Sequence, residues 1–465
     1  MNRRQLLGIA SGISFAGVAS PQRSTGSKAT PVPLAQSLAD DSQRTAWYRE
    51  AKFGMFIHWG PYSVASVEAS WPIMRPSQRF PITEQEYRAL PDRFNPVRFD
   101  PDGWVALART AGQRYMVFTT KHHDGFCMFD SAFTTYKISN TPYKNDIVKQ
   151  LSEACQRQKM PLGFYYSPPD MNHPGFRDTS KLAAENWNGE PTRETWPTYL
   201  SYMEMQLREL LTRYGDVALI WFDGLYNQRK FDGYRMQRAI LEQQPNTLIN
   251  NRIGIPGDFE TPEQFLPAGI PVKGNYLDFD HKDPGTKPGY IPTPEEFRLW
   301  ETCMTINGTW AYNKNDRDFK TAAQLVRTLV EVASRGGNFL LNVGPGPDGT
   351  IQPEFTERLQ AIGKWLDRNG ESIYGTTYGP LQGLGGVRTT ARGRDVFLHV
   401  FDWPGESLEL PGQGLPKFRS ASLLATNQPL TFDQLDSRLI IKLPAQPQDP
   451  DVTVIRLRAS SKRKY

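Results

Sequence analysis

The sequence predicts an α/β chain: a (β/α)8, TIM-like barrel followed by a C-terminal antiparallel β-sandwich. Three observations predict it. Short, near-continuous apolar runs recur between residues 53 and 345, as expected of parallel strands buried on both faces. Amphipathic stretches at helical spacing lie between them. After "NGESIYGTTYG" (369–379) the helical period stops, and short β-prone runs broken by Gly, Pro, Asn and Asp take over. A doubly wound open sheet would alternate in the same way, but no G-x-G-x-x-G loop follows the first run.

The first run is "FGMFIHWG" (53–60). "DPDGWVALARTAG" follows as a helix, with Asp100 or Asp102 as its cap and apolar positions at 104, 105, 107 and 108. The second run, "YMVFTTKHH" (115–123), leads to the helix "DIVKQLSEACQRQ", and the third, "PLGFYYS" (161–167), to "TYLSYMEMQLRELLTRYG". "VALIWFDG" (217–224) is the fourth, followed by the helix "YRMQRAILEQQ". The fifth and sixth are "TLINNR" (247–252) and "KGNYLDF" (273–279). "ETCMTIN" (301–307), the helix "AAQLVRTLVEVASRGG" and "NFLLNVGP" (338–345) complete the set. Several of these helices end at Gly, the residue best suited to the left-handed turn beyond a helix. Beyond them, "VFLHVFDWP", "SLELPG", "FRSASLLAT", "LIIKLPA" and "VTVIRLRA" read as sandwich strands. The domain reading is leader and linker 1–35, barrel 36–378, sandwich 379–460 and a basic tail 461–465. The sandwich is expected to shield the barrel, with His399 and Trp403 as its candidates for glycan contact.

The chain has 465 residues, 38% hydrophobic and 22% charged, enough for a large core and a second domain. "MNRR", then "LLGIASGISFAGVAS", then a polar stretch reads as an export signal: the apolar part is too short for a spanning helix and ends in small residues. Arg3 and Arg4 before Gln5, Leu6 and Leu7 resemble a twin-arginine signal. The expectation is an exported protein, periplasmic or secreted from a bacterium, with no membrane span once the leader is removed. The net charge of +5 sits partly at the two ends and forms no basic stripe interleaved with aromatics, which argues against nucleic acid. Cys127, Cys155 and Cys303 lack metal-ligand spacing and read as small buried hydrophobes.

Catalytic groups of such a barrel stand at the C-terminal ends of its strands. Polar residues collect there: His58 and Trp59, His122 and His123, Tyr165 and Tyr166, Asp223, and Arg252. One reading is a metal held by His58, His122, Asp124 and Asp223. Adjacent strand residues face opposite ways, however, so His122 and His123 do not both reach one ion unless the strand bends. The other reading is carbohydrate chemistry. Asp223 ends an apolar strand that would hold a carboxylate rigidly at the barrel mouth, and imidazole, Tyr and Arg donors suit both that carboxylate and sugar hydroxyls. A glycosidase needs a second carboxyl to protonate the leaving oxygen, and Glu260, Glu263 and Glu301 occupy suitable segments.

The motifs "KFGMFIHWGPYS", "TTKHHDGFCMFDS", "GFYYSP", "LIWFDG", "NNRIG", "WETCMTINGTWAYN", "GGNFLLNVGPGPDGTI" and "WLDRNGESIYGT" together resemble the retaining α-L-fucosidases of glycoside hydrolase family 29, in family order from about residue 43 to 376. The resemblance implies that Asp223 is the nucleophile of a covalent fucosyl intermediate. It implies that His58, His122, His123 and Tyr166 bind fucose hydroxyls, that Arg252 stands near the nucleophile, and that Trp310 lines the pocket for the C5 methyl. The family pattern places the acid/base in a loop of variable length. "DFETPE" looks similar to it, which makes Glu263 the choice, with Glu260 and Glu301 as alternatives. Many relatives carry a Glu-Trp pair at the sugar; here Ser70 precedes Trp71, with Glu68 two positions before it, so Trp71 keeps its expected role and the acidic contact is open. The implied substrate is a fucosylated oligosaccharide or glycoconjugate, cleaved at terminal α-L-fucose, with no cofactor, no metal, and room for a homo-oligomer. The alternatives are a fucose-binding protein without catalysis and a glycosidase for a related sugar.

Overall fold

The computed structural model describes residues 43–75, 82–224, 228–274 and 289–461. The expected leader, most of the run 273–279 and the last four residues of the tail lie outside the described residues. Among the described residues, no helix is long and apolar enough to cross a membrane.

Seven parallel strands form one sheet in the order β5-β4-β3-β2-β1-β7-β6. They are β1 (Phe53–Ile57), β2 (Met116–Lys121), β3 (Leu162–Tyr166), β4 (Leu219–Phe222), β5 (Leu248–Ile249), β6 (Glu301–Thr305) and β7 (Asn338–Val343). Residues 259–263 close the gap between the two edges. Phe259 bridges Asn250 just beyond β5, Glu260 bridges Trp300, and Glu263 bridges Cys303 of β6, all in parallel sense. The sixth position of the curled sheet is therefore taken by this extended segment. Of the expected sixth strand, the described residues Lys273 and Gly274 form a turn.

Each strand sends alternate residues inward and outward. Phe56, Tyr115, Val117, Tyr165, Leu219, Trp221, Cys303 and Leu340 fill the interior as one buried cluster. Phe53, Met55, Ile57, Met116, Phe118, Phe164, Tyr166, Ile220 and Phe222 belong to the layer beneath the outer helices. Gly54 in β1 is required by close approach, because a Cβ there would stand 2.5 Å from the Tyr115 ring.

The outer helices begin where the sequence signals caps. Asp100 accepts from Gly103 N at 2.9 Å ahead of Pro101–Thr110. Thr321 and Gln324 form a capping box at Ala322–Ser334. Two antiparallel sheets follow: β8 (Thr377–Tyr378), β9 (Val387–Arg392), β10 (Asp395–Val400), β12 (Phe418–Leu423), β13 (Pro429–Leu430) and β16 (Thr453–Ala459) in one, β11 (Ser407–Pro411), β14 (Phe432–Gln434) and β15 (Arg438–Lys442) in the other. Val396, Leu398, Leu408, Leu439, Ile441 and Leu457 pack between them. His399 is fully buried against Thr390, and the half-buried Trp403 donates its indole N–H to the Pro444 carbonyl at 3.0 Å, so both serve packing. All three cysteines are free and buried.

Candidate active site

The recess at the C-terminal ends of the strands is lined by Phe56, His58, Glu68, Ala69, Trp71, His122, His123, Trp221, Asp223, Glu263, Cys303 and Trp310. His58 follows β1. Its Nδ1 meets Asn342 Oδ1 at 2.8 Å, while Asn342 Nδ2 donates to the Trp310 carbonyl at 2.7 Å. The Asn oxygen therefore accepts, Nδ1 carries the hydrogen, and Nε2 is left as an acceptor for the recess.

β2 ends at Lys121, and the chain turns at His122. That turn lets both adjacent imidazoles face the same recess, with ring centroids 4.2 Å apart. Ser70 Oγ lies 2.7 Å from His122 Nδ1 and accepts the Asp124 N–H at 2.8 Å. Ser167 Oγ donates to the Pro169 carbonyl at 2.7 Å, so it accepts from His123 Nδ1 at 2.6 Å, and His123 Nε2 faces Asp223 Oδ2 at 3.5 Å. Burial dominates the titration of all three. His58 and His123 are pushed down to about 4 and His122 well below the usual imidazole range, so all three are neutral near pH 7.

Asp223 follows β4. Tyr165 donates its hydroxyl to Oδ2 at 2.8 Å, and Arg252 Nη1 donates to Oδ1 at 3.0 Å. Burial pushes the Asp223 carboxyl up, but Arg252, His123 and Tyr165 outweigh it and hold it below the ordinary carboxylate range. Arg252 is fixed by Thr261, whose Oγ1 and carbonyl accept from Nε and Nη2 at 2.8 Å each. The same Nη1 also donates to Glu263 Oε2 at 2.8 Å. Two carboxylates that share one donor nitrogen suit the roughly 5–5.5 Å spacing of retaining glycosidases better than the roughly 6.5–9.5 Å of inverting ones.

The other candidates separate cleanly. Glu260 is buried and pairs with Arg298 at 3.3 Å, away from the recess. Glu301 is fully buried in the barrel interior, bound to Tyr115 and Trp221, and does not line the recess. Tyr166 is a correction. It is an outward residue of β3, and its hydroxyl donates to Gln206 at 2.8 Å; the inward neighbour Tyr165 reaches Asp223 instead. Sequence reasoning also missed Trp221, which the alternation in "LIWFDG" places inward beside Tyr165. Glu68 lines the recess, and its two oxygens accept the Trp310 N–H at 3.0 and 3.1 Å. Ser70, in the place expected to hold an acid, instead orients His122.

Ligand atoms of His122, His123 and Asp223 lie within 4.8 Å of one another, a grouping able to hold a cation. The Arg252 guanidinium already occupies one oxygen of Asp223, and a cation there would stand beside a fixed positive charge. Three neutral imidazoles, three carboxyl groups (Glu68, Asp223 and Glu263) and aromatic walls suit a neutral polyol with an apolar face.

The α-L-fucosidase family model matches residues 20–371. Human plasma α-L-fucosidase is 31% identical over 363 residues, 74% of this chain and 72% of the relative. The structure of α-L-fucosidase isoenzyme 1 from Paenibacillus thiaminolyticus superposes with a TM-score of 0.79 at 34% identity, covering 91% of this chain and 99% of that one. A family 29 α-L-fucosidase from Bacteroides thetaiotaomicron, trapped as a covalent intermediate with 2-fluoro-fucosyl fluoride, superposes with a TM-score of 0.75 at 28% identity over 89% of this chain and 95% of that one.

Proposed function

We propose a mechanism for a chain that belongs to the α-L-fucosidase family and is a retaining glycoside hydrolase. The enzyme removes terminal α-L-fucose from fucosylated glycans through a covalent fucosyl-Asp223 intermediate. The observation that carries this reading is the Arg252 nitrogen shared by Asp223 and Glu263, in a recess lined by three neutral histidines.

In the first step, an Asp223 oxygen attacks the anomeric carbon. The bond to the leaving oxygen breaks, and Glu263 supplies that oxygen with a proton. In the second step, Glu263, now a carboxylate, takes a proton from water. The water oxygen attacks the same carbon, Asp223 departs, and two inversions give net retention. Asp223 must be ionised, as Arg252 and Tyr165 favour. The surroundings of Glu263 are more polar than an acid requires: its side chain is 30% exposed and bonded to Arg252. Glu263 therefore gives up that bond when it takes its proton and turns to the leaving oxygen. His58, His122 and His123 bind ring hydroxyls, Glu68 supplies the acidic contact, and Trp71 and Trp310 cover apolar ring edges. Residues 1–35 direct export.

The test is hydrolysis of 4-nitrophenyl α-L-fucoside by the wild type and by Asp223→Ala, with folding checked by circular dichroism. Release by the wild type and none by the variant is expected; near-full activity in Asp223→Ala refutes the assignment. Azide should restore turnover to Glu263→Ala. Full activity of that variant without azide removes Glu263 from the acid role.

A further inference from the structure

Glu301 lies in β6 with its side chain in the barrel interior, fully buried. A carboxyl in such a place, with no cation among the described residues in hydrogen-bond contact, costs several kcal/mol unless donors surround it. The donors here are specific. Tyr115, in the space left by Gly54, donates its hydroxyl to one oxygen, and the Trp221 indole N–H donates to the other at 2.9 Å. Trp221 has a second face. It lines the catalytic recess, stacks on Tyr165 with centroids 5.8 Å apart, and carries the Arg252 guanidinium 4.6 Å above its ring. Among the described residues, Tyr165 and Arg252 donate side-chain hydrogen bonds to Asp223.

We propose that Glu301 is a positioning residue for the reaction: it fixes the Trp221 indole and, through that ring, the Arg252 guanidinium and Tyr165 ring against Asp223. The inference rests on the mechanism given above. Trp221 is an unbroken link, held from below by a hydrogen bond and in contact above with both groups that orient the nucleophile. Burial pushes the Glu301 carboxyl up to about 7, against the pull of Tyr115, Trp221, Tyr48 and Arg252, so the side chain carries less than a full charge near neutral pH and serves chiefly as an acceptor.

The experiment is a double-mutant cycle on 4-nitrophenyl α-L-fucoside, with rates expressed per active site titrated by 2-fluoro-fucosyl fluoride, so that misfolded protein does not count. Glu301→Leu should lower kcat about 10- to 100-fold, the scale of a small misplacement of catalytic groups, with a smaller change in KM. In a Trp221→Phe background, which lacks the indole N–H, the same substitution should cost less than about threefold more. Glu301→Gln keeps an acceptor for the indole and should stay within about threefold of the wild type. It decides the matter if the Leu variant does not fold, because a role through charge would leave Gln deficient. Losses that multiply in the double variant, a wild-type kcat in Glu301→Leu, or a Gln variant with its kcat reduced beyond tenfold would each overturn the proposal. An unlabelled and inactive wild type would instead overturn the fucosidase mechanism, and the inference with it.

Discussion

Tyr165→Phe removes one hydroxyl and leaves the aromatic ring in its place between His122 and Trp221. What is lost is the 2.8 Å hydrogen bond to Asp223 Oδ2. A hydrogen bond to a charged group contributes about 1.5–3 kcal/mol, which is about 10- to 150-fold in rate when the bond matters in the transition state. It should matter most in the second step, where Asp223 leaves the sugar as a carboxylate and the hydroxyl stabilises the departing charge. The expected result is a kcat lower by that factor, with covalent fucosyl-enzyme accumulating during turnover. Tyr166→Phe is the control. It strips a donor from Gln206, which is fully buried, and should cost about 1–3 kcal/mol of stability while leaving kcat per active site unchanged. The assays are steady-state hydrolysis of 4-nitrophenyl α-L-fucoside, intact-protein mass spectrometry during turnover, and thermal unfolding. A large kcat loss in Tyr166→Phe with none in Tyr165→Phe would refute the assignment of the inward tyrosine.

Arg252→Met deprives Asp223 of the strongest influence that lowers its pKa, so the carboxyl rises and the acidic limb of the kcat/KM profile should move to higher pH, alongside a loss of about 10²-fold or more in kcat; an unmoved limb would contradict the pairing. Glu68→Ala leaves the Trp310 N–H without that acceptor and removes an oxygen pair from the recess, so KM for the fucoside should rise about tenfold with a smaller change in kcat, as measured by full saturation curves. His58 and His123 titrate at about 4 in the folded chain against about 6.5 unfolded. A depressed folded pKa contributes stability that is present above about 6.5 and lost as pH falls toward about 4, because the unfolded chain takes up those protons first. Differential scanning fluorimetry should show Tm falling across that window; a flat Tm from pH 7 to 4.5 would count against buried neutral imidazoles.

The strand positions of the barrel were legible because most of its runs are continuously apolar, and β1 to β7, apart from the sixth position of the curled sheet, fall within the expected runs. The identity of the inward face was not. In "GFYYSP" two tyrosines sit side by side, and chemistry alone does not choose between them. Register does: Tyr165 pairs with Trp221, and both belong to the interior cluster. The paired histidines posed the opposite problem. Strict alternation would send one of them outward, but the strand ends at Lys121 and the turn at His122 brings both rings in. Their serine partners come from residues 70 and 167, far apart in the chain, so no local spacing announces them.

The choice between Glu260 and Glu263 follows the same rule in a segment where the sequence carries no strand signal. "FETPE" contains Pro262, lies between Pro256 and Pro267 and has no apolar run, so it reads as loop. In the fold it is extended, bridged to residues on both sides of the barrel's open edge. Side chains an odd number of residues apart in an extended segment face opposite ways. Glu260 and Glu263 are three apart. Glu260 accordingly turns to Arg298, and Glu263 turns to Arg252 at the recess. The parallel bridge to Cys303 holds Glu263 at the level of β6, and its side chain lines the same recess as Asp223. A single-residue insertion between the two glutamates would send the carboxyl at position 263 to the wrong face or break the bridge to Cys303, and either outcome should abolish turnover while the barrel remains folded.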